Sequence, residues 1–391
     1  MIFPVIALGA LLAQEVFAQT GNARGSDFLR FGCSQLVVER TDPLVTPGQV
    51  PSPHMHQIVG GNAFNASMDP SDLDPAKTAQ CTSCKLTEDL SNYWTASIYF
   101  QSPENGTFKR VPQMANGMLN GSLLEQDGGI TVYYMRPFSG SNKKVTVMPK
   151  GFRMFTGDPN LRKKPSGTMK ICHRCLAASE RTMGGSGAPC ASTDTAEFPN
   201  KPCPGGIRAT VIFPSCWDGK NLDSPDHISH VAYQSGSALA GDKCPSTHPV
   251  RIPQVMYEIM YDTSGFADKK YYQNGKQPLV YSFGDPTGYG AHGDYLFGWV
   301  DGSLQKAMDT LGTECFSETC PPLKLQLGKL AIACTKAQQA KEDIGNSACE
   351  CIHLIRHLVA NLELRAPSSA GWYASCVSEA RRRKRSRNAE R

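Results

Sequence analysis

Between Phe28 and Asp301 the chain is written almost wholly in short alternating runs, divided by glycine, proline, asparagine and aspartate. Gly128–Met135 (GGITVYYM), Gly206–Trp217 (GIRATVIFPSCW) and Pro253–Asp262 (PQVMYEIMYD) are clear cases. In the last, Val255, Tyr257, Ile259 and Tyr261 alternate with Met256, Glu258 and Met260. A period of two sends successive side chains to opposite faces, so each run reads as a strand with a buried face. YWTASIYF (Tyr93–Phe100), KVTVMP, PLVYSFGD and DYLFGWV extend the series. No amphipathic helix of about 10–15 residues separates these runs, which argues against a βαβ sheet. The expectation is a mainly β chain: a β-sandwich or jelly-roll-like domain with long loops.

The first eighteen residues, MIFPVIALGALLAQEVFA, are apolar and end in a small-residue pattern at Val16 and Ala18. They read as a signal peptide cleaved before Gln19, too short to span a bilayer. No other run approaches spanning length, so the mature protein is expected to be secreted, with no membrane span. Secretion changes the meaning of the 15 cysteines. In an oxidising compartment they are disulfides rather than zinc or redox ligands, the pairs Cys81/Cys84 and Cys172/Cys175 included. Cys33, Cys81, Cys84, Cys172, Cys175, Cys190, Cys203, Cys216 and Cys244 are expected to be oxidised and to staple the fold. An odd count leaves at least one thiol free or paired with another chain. Sequons at Asn65, Asn105 and Asn120 fit a glycoprotein.

The net charge is +5. The tail Arg381–Arg391 alone holds seven Lys/Arg and one Glu, so the folded body is close to neutral and implies no nucleic-acid surface. That tail reads as disordered. Helical patterning appears late, at Asp301–Gly312 and over Leu330–Leu364. The chain therefore divides into a signal peptide (1–18), a polar leader (19–27), a β-rich core domain (28–312), a cysteine-containing, partly helical C-terminal extension (313–380) and the basic tail (381–391).

The chemistry concentrates in histidine. His54 and His56 stand in PHMHQ, His227 and His230 in DSPDHISHVAY, and His292 in GDPTGYGAHGDYLFGW. The last two stretches mix imidazole with Asp and an aromatic, and the first runs on to Gly60-Gly61. HxH on a strand and HxxH on a turn each set two nitrogens near one ion, so His54, His56, His227 and His230 are candidate ligands for one divalent metal ion. Asp226 or Asp294 would orient an imidazole or ligate directly. This reading expects His54 and His56 to project from one strand face toward the 227–230 loop. A metal-free alternative is a polysaccharide lyase, in which a histidine or tyrosine exchanges protons with a sugar ring carbon. Arg251, Gln254 or Asn221 would then neutralise a uronic carboxylate, and Trp217 would stack on a sugar. Paired carboxylates among Glu258, Asp285 and Asp294 are a third option. The candidate catalytic set is His56, His230, His292, Tyr257 and Glu258. Against all of these stands a non-catalytic structural or cell-surface protein, whose histidines merely hydrogen-bond loop backbone. HLIRH (His353, His357) lacks the glutamate of a zincin, and GDPTGYGAHG lacks the lysine of a P-loop.

Five long stretches carry a resemblance: CSQLVVERTDPLVTPGQVPSPHMHQIVGGNAF, TSCKLTEDLSNYWTASIYF, FPSCWDGKNLDSPDHISHVAY, CPSTHPVRIPQVMYEIMYD and SFGDPTGYGAHGDYLFGW. From about Phe31 to Met308 the chain resembles a secreted fungal domain-of-unknown-function family, numbered nineteen ninety-six and often found beside WSC carbohydrate-binding domains. The resemblance implies an extracellular or cell-wall-associated protein that meets polysaccharide or cell-wall glycan. It assigns no catalytic residue. Beyond about Cys334 it fades, which puts Cys349, Cys351 and Cys376 in doubt as structural disulfides. The function expected is action on, or binding to, polysaccharide through a histidine-lined cleft.

Overall fold

The computed structural model describes residues 27–114, 128–138, 143–181, 188–315 and 319–345. The signal peptide, Asn120, Cys349, Cys351, Cys376 and the basic tail lie outside them. Ten strands form the frame: β1 (Phe28–Cys33), β2 (Val37–Glu39), β3 (His56–Gly60), β4 (Asn92–Ala96), β5 (Ile130–Met135), β6 (Arg153–Gly157), β7 (Ile171–Leu176), β8 (Gly206–Ile212), β9 (Gln254–Tyr261) and β10 (His292–Leu296). They make two five-stranded antiparallel sheets, in the orders β1-β5-β9-β8-β7 and β2-β3-β4-β10-β6. Two smaller three-stranded sheets flank them. The mainly β, sandwich-type expectation from alternation holds.

The alternation decides what is buried between the sheets. Val132 and Tyr134 of β5, Ala209 and Val211 of β8, and Val255, Tyr257 and Ile259 of β9 face the main core. Tyr93 of β4 and Tyr295 of β10 meet them from the second sheet. Four polar tips are satisfied inside this layer. Tyr93 Oη lies 2.8 Å from Tyr134 Oη, Tyr134 donates to Tyr295 at 2.9 Å, and Trp299 Nε1 donates to Tyr134 at 3.0 Å. Tyr93 also lies 2.7 Å from an Asp89 carboxylate oxygen. At Gly293 the chain packs tightly against β8 and its end: a Cβ there would sit 3.0 Å from Val211 and 3.1 Å from Phe213.

The second sheet buries its other face too. Ile58, Trp94, Phe155 and Leu296 form a separate apolar cluster, covered by Leu44, Phe64, Met68 and Cys334 from loops and the extension. Every strand residue of β3, β4 and β10 is therefore buried. This outer cluster is where the chemistry collects.

Among the described residues six disulfides are formed: Cys33–Cys84, Cys81–Cys334, Cys172–Cys190, Cys175–Cys203, Cys216–Cys244 and Cys315–Cys320. All nine cysteines expected to be oxidised are among them. Neither CxxC pair closes on itself. In β7 the odd spacing of Cys172 and Cys175 sends them to opposite faces, so each takes a different partner. Late helices run over Ser303–Thr310 and Gly328–Ala333. Of the stretch Leu330–Leu364 expected to favour helix, the described helix ends at Ala333, and residues 346–364 lie outside the described residues. Beyond Ala333, Lys336 N–H donates to Leu36 O at 2.9 Å, and Gln339 N–H to the buried Glu39 carboxylate at 2.6 Å. Backbone and side chains of the β2 region thus take the hydrogen bonds a helix would have used.

Candidate metal centre

Three strands set the site. β3 begins at His56, and His54 lies two residues earlier on the proline-broken approach. β4 pairs β3 with Ala96 opposite His56 and Trp94 opposite Ile58. β10 pairs β4 with Asp294 opposite Trp94. Continued by two residues, that register puts His292 across Ala96 from His56. All these side chains share one face, and the small Ala96 leaves room between the two imidazoles.

The result is a compact cluster. One ring nitrogen from each of His54, His56 and His292 lies within 4.8 Å of the others. Ring centroids are 4.2 Å apart for His54–His56, 5.1 Å for His54–His292 and 6.1 Å for His56–His292. His56 Nδ1–H donates to Thr41 O at 3.1 Å, and His292 Nδ1–H to Gly290 O at 3.0 Å. A carbonyl only accepts, so each Nδ1 carries the proton and each Nε2 keeps its lone pair. His56 Nε2 is buried without a protein partner. His292 Nε2 is 3.1 Å from His54 Nε2. Two nitrogens bound tetrahedrally at about 2.0–2.1 Å from an ion stand roughly 3.3 Å apart, so this spacing already suits a shared ion.

Burial sets the charge state. It lowers His56 and His292 to about 4, against carbonyl contacts that pull the other way. Burial, reinforced by His56 and His292, holds His54 well below the usual imidazole range. Near neutral pH all three rings are neutral, which is the ligating form. Phe283 packs 5.2 Å from His54 and 5.1 Å from His292, and Phe155 lies 5.5 Å from His292. His56 and His292 are fully buried, while an edge of His54 reaches the surface.

Two carboxyls stand by. Asp42 accepts from Leu44 N–H and Val45 N–H, both at 3.0 Å, and is electrostatically coupled to His292. Asp294 is fully buried, and neither of its oxygens has a protein partner. Burial, then the neighbouring Asp42, holds the Asp294 carboxyl well above the usual carboxylate range. Asp42 carries no motif and lies outside the histidine-rich stretches, so nothing local in the sequence marked it.

The structure joins His54 and His56 to His292, not to His227 and His230. His230 uses both nitrogens to tie its loop down, at 2.8 Å from Arg153 O and 2.9 Å from Ser224 Oγ. His227 Nδ1 pairs with Asp223 at 2.8 Å. Asp226 accepts from Ser224, Ile228 and Ser229 within the same turn. Tyr257 lies between the sheets and donates to Asp294 O at 2.7 Å. Glu258 points to the opposite face of its sheet, 2.7 Å from Tyr133 Oη and 3.6 Å from Arg208. Gln254 is buried and bonds Phe213 O, Ala238 O and Ala240 N–H. Arg251 donates to Gly241 O, Trp217 Nε1 to Asn221 O, and Asn221 Nδ2 to Asp218. Asp285 shapes the turn before His292 by accepting from Thr287 N–H and Gly290 N–H. Asn65 and Asn105 are exposed.

Among the described residues one other grouping has metal-ligand spacing, Cys33, Cys84 and Asp89, and its two cysteines are already joined. No helix among these residues is long and apolar enough to cross a membrane. No curated protein and no solved structure matches the chain. A family model described as a domain of unknown function, DUF1996, matches residues 42–299, a span that holds His54, His56, His292, Asp42 and Asp294; the chain belongs to that family.

Proposed function

We propose that this is an extracellular metalloprotein that holds one divalent transition ion on His54, His56 and His292 and meets polysaccharide at that ion. One observation carries the metal: three neutral imidazoles converge, two of them pinned by Nδ1–H to backbone carbonyls. That outer anchoring fixes tautomer and ring orientation, as it does in metal-binding histidines generally. Imidazole ligands suit zinc or copper. A structural zinc site closes with a fourth protein ligand, and among the described residues no fourth ligand atom joins this grouping. The arrangement therefore supports an ion with an open position, which supplies Lewis acidity and a more acidic bound water. His54 would bring that position to the surface. Phe283 and Phe155 would exclude water from its sides.

The extracellular setting is supported by six disulfides together with the signal-type leader. The polysaccharide partner rests on the family resemblance. Both parts are tested by loading chelated protein with zinc or copper and screening wall and plant glycans for binding and cleavage. The proposal expects glycan binding or turnover that disappears on chelation and in His292→Ala. Activity that survives both would remove the ion from the function.

A further inference from the structure

We propose that Arg162 selects an acidic saccharide at the tri-imidazole centre, by donating a charged hydrogen bond to a carboxylate or phosphate on the chain that meets the ion. The inference rests on the proposed function and adds the substrate class. Phe283 makes the connection. Its ring stands 5.2 Å from His54 and 5.1 Å from His292, and the Arg162 guanidinium lies over it at 5.6 Å. One aromatic ring therefore separates the cation from two of the three imidazoles. The backbone repeats this adjacency. Arg162 Nη1 donates to Pro159 O at 2.6 Å, and a Cβ at Gly290 would meet that same oxygen at 3.0 Å and Phe283 at 2.8 Å. Gly290 O is the carbonyl that holds His292 Nδ1–H.

The guanidinium is fixed in place and keeps a donor in reserve. Nη1 also donates to Leu161 O at 2.9 Å, and Nε stands 3.6 Å from the buried Asp285 carboxylate, beyond hydrogen-bond length. Among the described residues Nη2 has no hydrogen-bond partner, and the side chain is 31% exposed. A guanidinium already held in one orientation loses little freedom when it binds, and its hydrogen bonds to anions are stronger than those to neutral hydroxyls. Arg40 is the contrast. It bonds the approach to His54 through Ser52 O at 2.7 Å, but its other arm lies 3.4 Å from Glu342. The charge around Arg162 points the same way. Residues 158–164 hold three cations, Arg162, Lys163 and Lys164, against Asp158 within the segment and Asp285 beside it, and both lysines are exposed. A divalent ion on three neutral imidazoles would add its own double charge. Arg251, Gln254 and Asn221, the groups first considered for a uronic carboxylate, bond backbone or a neighbouring side chain instead.

The test measures calorimetric binding of paired oligosaccharides to the zinc-loaded full chain: an oligogalacturonate against its methyl ester, and a phosphorylated oligomannoside against the unphosphorylated one. Expected is a preference of about tenfold or more for at least one acid over its neutral partner, falling below about threefold in Arg162→Gln while zinc content is unchanged. The pair that shows the preference identifies the group as carboxylate or phosphate. Should Arg162→Gln fail to fold, Arg162→Lys takes its place, with the preference expected to fall about threefold because an ammonium lacks the planar fork. Acidic and neutral forms bound equally by wild type overturn the selection and leave the metal-centre reading intact. A preference for the acid that survives substitution of Arg162, as binding through the basic tail Arg381–Arg391 would, also overturns it. Wild type that binds none of the four, with or without zinc, overturns the proposed function and this inference with it.

Discussion

His56 and His292 each commit Nδ1 to a carbonyl, and that leaves each Nε2 with its lone pair. The same burial that frees the lone pair makes a pH dependence. Their native values of about 4 lie below the ordinary 6.5, so the unfolded chain binds more protons between those limits. Their contribution is present above pH 6.5 and is lost as pH falls through 4. A shift of this size is worth at most roughly 3 kcal/mol per ring. Urea midpoints measured in chelator should therefore drop from pH 7 to pH 4, with a shallower drop in a His56→Gln/His292→Gln double variant. Asp89 acts in the opposite direction. Burial pushes its carboxyl up to about 7, against hydrogen bonds from Tyr93 and Ser91. The native state then holds a proton that the unfolded chain gives up near 4, so this contribution is lost as pH rises through 7. The stability difference between Asp89→Asn and wild type should shift in favour of the variant from pH 5 to pH 8. A difference independent of pH would show that Asp89 does not titrate in that window.

At the scale of elements, the site is a product of register. Ala96 of β4 faces His56 and, by the continued ladder, separates it from His292. Ala96→Val would drive a branched side chain between the rings. Metal affinity should fall by about tenfold or more with far-ultraviolet dichroism unchanged; unchanged affinity would mean that the rings do not meet across Ala96. Register also explains what the sequence left hidden. Alternation made the strands legible, since Val255 to Tyr261 show their buried face in the letters themselves. The spacing of His54 and His56 marked one half of the cluster. The other half depends on β4 bringing β3 beside β10, a pairing between residues more than 190 apart, as the Thr95–His292 hydrogen bond at separation 197 shows. Dense local lettering drew attention to His227 and His230 instead, which bind their own loop. The disulfide Cys81–Cys334 acts at this scale as well, joining the extension to the outer cluster across a separation of 253. Cys334→Ser should cost about 2–5 kcal/mol, and Cys315→Ser, whose loop has a separation of 5, much less. Equal losses in urea titrations would contradict that ordering.

For the whole molecule, the sandwich buries the outer face of its second sheet under loops and the extension. The main core carries the aromatic layer, and the outer cluster carries the histidines and the two carboxyls. His56, His292 and Asp294 sit on a strand face, which favours fixed ligand geometry, and His54 joins them from the approach to β3. The decisive measurement is the metal stoichiometry of the purified full chain at neutral pH, by calorimetric zinc or copper titration with elemental analysis. The account predicts one equivalent held by the wild type and by His227→Ala, and at least tenfold weaker binding in His54→Ala, His56→Ala and His292→Ala. A wild type that binds no transition ion, or binding that is unaffected by those three substitutions, would contradict it.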